Sequence, residues 1–386
     1  MQFVVWFGVV SALGDFVYEG ARSIIGPYLA HLGASAFAVG VITGIGEATA
    51  LVFRLFTGRL ADRTQRPWPQ TILGYALTMV CVPLLALSGG LASASVLYNG
   101  ERFGKAVRSP SRDMMLAHAS SAMGRGKAFG LHEAMDQSGA LVGPLVIALV
   151  LAAGGGYHLS FALLAVPGAA ALLVLARLRA AVPHPHLYDP EAHVSEAKHL
   201  RLDAHLPREF WLYSAFTTAT MLGFATWAVL AYHLTVQHVV SPSVIPVLYA
   251  AAMGAAALAA LGFGRLYDRH GFRGLLSLPL LAAVVPFLSF STSTVAVVAG
   301  AVVWGTAMGV HESTMRAAVT DLVPRSRRGA GYGTFTAIYG LAWLAGAAVI
   351  GALYSQGRGT IVAVVVVVQV VALALLVPLL RPPHRS

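Results

Sequence analysis

Twelve apolar stretches punctuate the amino-acid sequence, at about 3–28, 36–57, 71–88, 91–113, 127–152, 157–177, 210–233, 242–263, 274–290, 294–318, 329–353 and 359–380. Each approaches the roughly 20 residues that a helix needs to cross a bilayer. A helix satisfies its own backbone hydrogen bonds in lipid, whereas an open strand or loop does not. The sequence therefore predicts an all-α polytopic membrane protein of twelve spans. Composition agrees: 57% of the 386 residues are hydrophobic, 11% are charged, and the mean hydropathy is +0.72. A soluble domain carries about 25% charged residues, so an ordinary soluble enzyme is excluded. The opening MQFVVWFGVV has no basic region and no small-residue cleavage site, and reads as the start of the first span rather than a removable signal. The only cysteine, Cys81, lies in an apolar run, so no internal disulfide is possible.

The stretches fall into two groups of six, separated by the one long polar segment. This predicts an amino-terminal six-helix bundle at 1–177, a linker at 178–208 and a carboxyl-terminal six-helix bundle at 209–386. The linker histidines, His184, His186, His193, His199 and His205, have no rigid spacing and define no metal site. Basic residues crowd alternate loops: Arg59, Arg63 and Arg66; Arg125 and Lys127; Arg177, Arg179, Lys198, Arg201 and Arg208; Arg265, Arg269 and Arg273; Arg325, Arg327 and Arg328; and Arg381 with Arg385. The other loops hold only Arg358. Under the positive-inside rule this puts both termini and the linker in the cytoplasm of a cell membrane. It also accounts for most of the net charge of +10 without a nucleic-acid partner.

The halves echo each other. Gly58-Arg59-Leu60-Ala61-Asp62-Arg63 follows the second span, and Gly264-Arg265-Leu266-Tyr267-Asp268-Arg269 follows the eighth. Glu101 and Lys105 in the fourth span are matched by Glu312 and Arg316 in the tenth, and Arg125-Gly126 by Arg328-Gly329. The offsets are nearly constant, about 206 residues, as in an internal duplication with the halves related in parallel about an axis normal to the membrane.

On these residues the chain resembles the major facilitator superfamily along its whole length. The loop signature Gly-x-x-x-Asp-Arg-x-Gly-Arg-Arg is present with Gln65 for the second glycine and Pro67 for the last basic residue. The second copy keeps Gly271 and Arg273 but has Phe272 between them. The Gly-x-x-x-Gly-Pro core of the antiporter signature in the fifth span is matched by Gly139, Gly143 and Pro144, without the glycine pair that normally follows. The resemblance implies two pseudo-symmetric bundles, alternating access, a single chain as the working unit, and a gate at Gly58, Asp62 and Arg63 with its second copy at Gly264, Asp268 and Arg269. Physically, a glycine lets helices approach closely, and Asp62 can accept hydrogen bonds from a neighbouring helix start. Gly139, Gly143 and Pro144 read either as a hinge or as a close helix contact.

Charges inside the apolar spans point to function. Asp15, Glu19 and Arg22 share one face of the first span, with Asp15 about 18 Å along it. Glu47 and Arg54 lie seven apart in the second span, and Glu101, Lys105, Arg108 and Arg112 form a stripe on the fourth with Arg102 beside it. Lipid-facing charges are costly, so these must face a cavity or partners. Glu19 with Arg22 can be a simple structural pair, and Arg108, Arg112 and Asp113 with Glu133 and Asp136 an ion-pair network joining two helices. Asp15, Glu19, Glu47 and Glu101 are the candidate proton-coupling acids. Tyr18, Arg22, Arg102, Lys105, Trp227 and Tyr232 are the candidate substrate-cavity residues.

No phosphate-binding glycine loop, zinc-protease pattern or nucleophile elbow occurs, so the expected protein is not an enzyme and needs no cofactor. The leading expectation is a secondary active transporter exchanging protons for a small organic solute in efflux. The alternative is uptake of a small zwitterionic or anionic solute together with protons. Outside transport stands a non-transporting receptor or scaffold on the same fold.

Overall fold

The computed structural model describes residues 2–119, 125–183, 206–324 and 327–380; the central part of the linker, with its five histidines, lies outside them. The described residues form fifteen α-helices, joined by short turns and 3₁₀ segments. They are α1 (Gln2–His31), α2 (Ala36–Val52), α3 (Arg54–Thr64), α4 (Pro67–Leu84), α5 (Leu91–Ala119), α6 (Arg125–Ala152), α7 (Gly156–Leu163) and α8 (Ala165–Ala181). After the linker come α9 (Arg208–Leu222), α10 (Trp227–Val236), α11 (Val244–His270), α12 (Ser277–Ser289), α13 (Thr294–Leu322), α14 (Arg328–Leu353) and α15 (Arg358–Leu376).

Three of the twelve apolar stretches are each built from two helices. The second breaks at Phe53 between α2 and α3, the sixth at Leu164 between α7 and α8, and the seventh over Gly223–Thr226 between α9 and α10. Among the described residues, ten helical segments are long and apolar enough to cross a membrane. One of them, Val244–Ser289, takes in both α11 and α12, and the charged, less apolar α5 is not among them. The fold is thus the twelve-span all-helical architecture expected. The surface is inverted relative to a soluble protein: Leu87, Val96, Leu149, Leu258 and Val295 are 70% or more exposed, while Glu101, Arg102 and Arg108 are buried.

The chain divides into two compact units. One contains Met1–Tyr28, Thr49–His199 and Pro242–Ala250; the other contains Leu29–Ala48, Leu200–Ser241 and Ala251–Ser386. The first part of α2 therefore clusters with carboxyl-terminal helices, and the first turns of α11 with amino-terminal ones. A span of 25 residues has different neighbours at its two ends, which a cut at the polar linker does not express.

Glycines set the closest packing in each unit. In the first, a Cβ on Gly74 would lie 2.6 Å from the Gly104 carbonyl oxygen, so α4 and α5 cross with backbones nearly touching. A Cβ on Gly139 or Gly143 of α6 would collide with the carbonyls of Ala12 and Phe16 on α1. In the second unit Gly346 of α14 meets the Met221 carbonyl of α9 in the same way. The fifth and eleventh stretches thus press on the first and seventh by the same device, as the duplication predicts.

Candidate functional site

The charged residues of α1 and α5 converge on one aromatic ring in the first unit. The Arg102 guanidinium lies 4.0 Å from the centre of the Tyr18 ring, the Lys105 ammonium 3.9 Å and the Arg22 guanidinium 5.7 Å. Arg22 and Arg102 both donate to the Tyr18 hydroxyl, at 2.9 and 2.7 Å. Arg102 also donates to Glu101 Oε2 at 2.7 Å. Glu101 Oε1 is buried with no hydrogen-bond partner among the described residues. Glu19 pairs with Arg22 at 3.8 Å and accepts a hydrogen bond from the Tyr249 hydroxyl, which α11 brings in from a remote part of the sequence. Three cations thus stand with the carboxylates of Glu19 and Glu101 around Tyr18, and the Asp15 carboxylate also acts on Lys105.

Helical spacing builds this arrangement. Tyr18 and Arg22 are four residues apart on α1, and Glu101 and Lys105 four apart on α5, so each pair shares a face. Of the sequence-derived candidates, the structure brings together Tyr18, Glu19, Arg22, Glu101, Arg102 and Lys105. Tyr249 escaped the sequence reading; its one signal is a lone hydroxyl in the apolar run of α11.

Below this cluster runs a second network. Asp15 approaches Arg108 at 4.0 Å, its side chain 20% exposed, and also lies in the field of Asp136, Lys105 and Glu19. Arg108 is buried, stacks on Tyr75 at 4.5 Å, and keeps Nε and Nη1 without hydrogen-bond partners. Arg112 reaches Asp113 at 3.0 Å and Asp136 at 3.7 Å, and His132 reaches Asp136 at 3.5 Å. The α5–α6 ion-pair network expected from sequence therefore includes Arg112, Asp113 and Asp136 and gains His132. Glu133 is exposed and accepts from Gln137 on its own helix. Glu47 is buried near the end of α2, and Arg54 opens α3 just beyond Phe53, whose backbone stays helical at φ −66°, ψ −18°. Glu312 is exposed, unlike Glu101, so that echo between the halves repeats spacing but not burial.

The loop motif makes few contacts. Thr57 donates to the Ala106 carbonyl at 2.7 Å, and Gly58 faces Pro110 of α5. Asp62 and Arg63 are exposed, and among the described residues the Asp62 carboxylate takes part in no hydrogen bond or ion pair. Its backbone carbonyl accepts from Gln65 Nε2 at 2.7 Å. In the second copy, Gly264, Asp268 and Arg269 are similarly uncrowded, and buried Tyr267 donates to Asp321 at 2.9 Å.

In the second unit, Trp227 and Tyr232 fall into different groups. Trp227 packs on Trp304 at 5.5 Å, whereas Tyr232 stands against Tyr354 at 5.4 Å. Near Tyr354, His233 has both ring nitrogens engaged, by the Tyr354 hydroxyl and the Ser291 carbonyl. The five positions between Trp227 and Tyr232 turn them to different sides of α10.

Comparison with known proteins matches this architecture. The family model described as Major Facilitator Superfamily matches residues 7–240 and 212–386. An uncharacterized protein of Mycobacterium tuberculosis is 47% identical over 382 residues, which are 99% of this chain and 93% of that one. An uncharacterized MFS-type transporter of Methanocaldococcus jannaschii is 24% identical over 358 residues, 90% of this chain and 87% of the other. Among solved structures, the nucleoside transporter NupG aligns with a TM-score of 0.76 at 14% identity, covering 98% of each chain. A peptide transporter POT in complex with sulfate aligns with a TM-score of 0.74 at 17% identity, covering 98% of this chain and 95% of the other.

Proposed function

The chain belongs to the major facilitator superfamily, and on that premise we propose that it carries a small organic anion across the cell membrane together with a proton, by alternating access. It is a multi-pass membrane protein of a transporter family, not an enzyme. The observation that carries the reading is the Tyr18 ring with Arg22, Arg102 and Lys105 gathered around it beside the carboxylates of Glu19 and Glu101. A carboxylate or phosphate entering this cluster meets a cationic surface already organised by hydrogen bonds, so little side-chain freedom is lost on binding.

The same charges favour symport over exchange. Neutralising the Asp15 carboxylate with a proton removes a negative charge that acts on Lys105, so proton and anion strengthen each other's binding, and such coupling is necessarily reciprocal. In antiport of a cation the proton must instead compete with the substrate for a carboxylate, and here cations already occupy those carboxylates. The partial Gly-Pro signature remains the sole support for efflux. The proton carrier on this reading is Asp15, which pairs loosely with Arg108 at 4.0 Å, with Glu19, Glu47 and Glu101 as the rivals.

Sealed vesicles with an imposed proton gradient test the proposal against a panel of small organic acids, amines and zwitterions. Accumulation of an organic acid along the gradient, with apparent affinity rising as the pH falls, is the expected result. Gradient-driven expulsion of amines with no movement of acids would return the antiport reading. Asp15→Asn is expected to abolish accumulation while leaving binding and solute exchange. If D15N takes up the same number of protons per substrate, measured with a pH indicator in weak buffer, the proton belongs to another acid.

A further inference from the structure

The break in the seventh span exposes backbone groups that a continuous helix would satisfy, and most of them find partners. The Trp304 indole N–H from α13 donates to the Ala225 carbonyl at 2.7 Å, and Gln369 from α15 donates to the Thr220 carbonyl at 3.0 Å. The break is therefore held open by two side chains placed for the purpose, as happens in transporters where irregular backbone borders a ligand. Two polar side chains beside it have nothing to bind among the described residues. Thr226, 5% exposed, caps none of the first amides of α10, and its hydroxyl is buried without a partner. His311, fully buried on α13, has neither Nδ1 nor Nε2 hydrogen-bonded.

A neutral imidazole always presents one N–H donor and one lone pair. Burying both without partners destabilises a core that a phenylalanine would fill without penalty. The ring is also walled by aromatics: Phe224 lies 5.4 Å away and Tyr339 6.0 Å, with Trp343 5.7 Å beyond Tyr339 and Trp304 stacked on Phe224 at 5.9 Å. Among the described residues His311 takes part in no ion pair.

We propose that His311 and Thr226, at the break between α9 and α10, form a hydrogen-bonding subsite for a planar, neutral heterocycle that offers a donor and an acceptor along one edge. The aromatic walls supply stacking, His311 supplies the matched donor and acceptor, and the absence of charge selects a neutral ring. The proposal rests on the reading of the chain as a solute transporter and names a chemical group its substrates carry. Nothing in the sequence marked the site, because GVHESTM places a single histidine in an apolar helix and FATW shows no proline at the break.

The test uses the purified full-length chain with uracil and nicotinamide as probes and benzene as a ring without polar edges. Trp227, Trp304 and Trp343 report binding through their emission. Saturable quenching by uracil or nicotinamide but not by benzene is expected, weakened about tenfold or more in His311→Phe and in Thr226→Val, as loss of a buried hydrogen bond requires. H311F should melt no lower than the wild type, since it removes two orphaned polar atoms, so its weakened binding is not unfolding. Should H311F fail to fold, T226V carries the same comparison. Absence of saturable quenching by both heterocycles, or quenching unchanged in the variants, overturns the subsite. Gradient-driven uptake by wild type with quenching unchanged in the variants would leave the transport reading standing and this one fallen. Intact variant-sensitive quenching with no solute movement would do the reverse.

Discussion

Gln65 shows what a departure from a family pattern means physically. It occupies the glycine position of the loop signature and adopts φ 50°, ψ 25°, in the left-handed region that suits glycine, while Gly271 at the matching place in the second copy has φ +56°. The side chain compensates through its hydrogen bond to the Asp62 carbonyl. Gln65→Gly should therefore raise the melting temperature, by up to about 1 kcal/mol of stability, and Gly271→Ala should lower it by about 1 to 2 kcal/mol. Thermal unfolding of the two purified variants checks both signs; a G271A protein as stable as wild type would remove the strain argument. At the Tyr18 cluster the outcome depends on which partner is removed. Tyr18→Phe keeps the ring under three cations but deletes a hydroxyl that accepts from both Arg22 and Arg102, each bond worth about 1.5 to 3 kcal/mol in a charged setting. A rise of about tenfold in the apparent KM for the transported anion, with little loss of expression, is expected. Arg102→Ala should act on folding instead, because it strips buried Glu101 of its hydrogen-bonded ion-pair partner at a cost of about 3 to 5 kcal/mol, visible as low yield in the membrane fraction. The charged residues of this cluster were legible in the sequence, since intramembrane charge is rare and helical spacing gathers it on one face. Tyr249 was not, because an aromatic residue in an apolar span reads as core until its hydroxyl is seen to donate to Glu19.

Among the elements, α6 separates two explanations of one motif. Gly139 and Gly143 lie where a side chain would strike the backbone of α1, so their smallness is needed for packing, while Pro144 lacks the N–H that a continuous helix would use. The two roles predict different variants. Gly139→Val should push α6 from α1 and cost stability on the order of 1 to 3 kcal/mol, as overpacking does, with transport lost in proportion to folded protein. Pro144→Ala should restore the helix bond, leave the melting temperature equal or higher, and slow turnover if α6 must bend during the cycle. Wild-type turnover in P144A would assign the whole motif to packing. The broken spans mark the limit of sequence reading at this scale. Apolar periodicity finds a span from end to end, but the break at Gly223–Thr226 is held by tertiary partners, Trp304 and Gln369, which no local pattern reveals.

For the whole molecule, what was legible was whatever the bilayer imposes uniformly: the number of spans, the two groups of six and the repeated loop. The assignment of span ends to compact units was not, because it depends on which helix each end touches. Orientation is a further expectation from the sequence and yields a sharp test. From the alternation of the spans in the sequence, the loops holding Arg59, Arg63 and Arg66, and at the matching place Arg265, Arg269 and Arg273, are expected on the same side as the linker, and the other loops offer only Arg358. Retaining basic loops on the cytoplasmic side orients a polytopic chain as it inserts, so the linker and both ends should be cytoplasmic, and the exposed Asp62 and Asp268 should face the cytoplasm too. Single cysteines at Leu187 and at Asp62, in a chain whose Cys81 has been replaced by alanine, should resist an impermeant thiol reagent in intact cells and react once the membrane is opened. A cysteine at Arg358 should react in intact cells. Labelling of the Leu187 or Asp62 position from outside would invert the topology. It would also reverse the direction in which a proton gradient drives the anion.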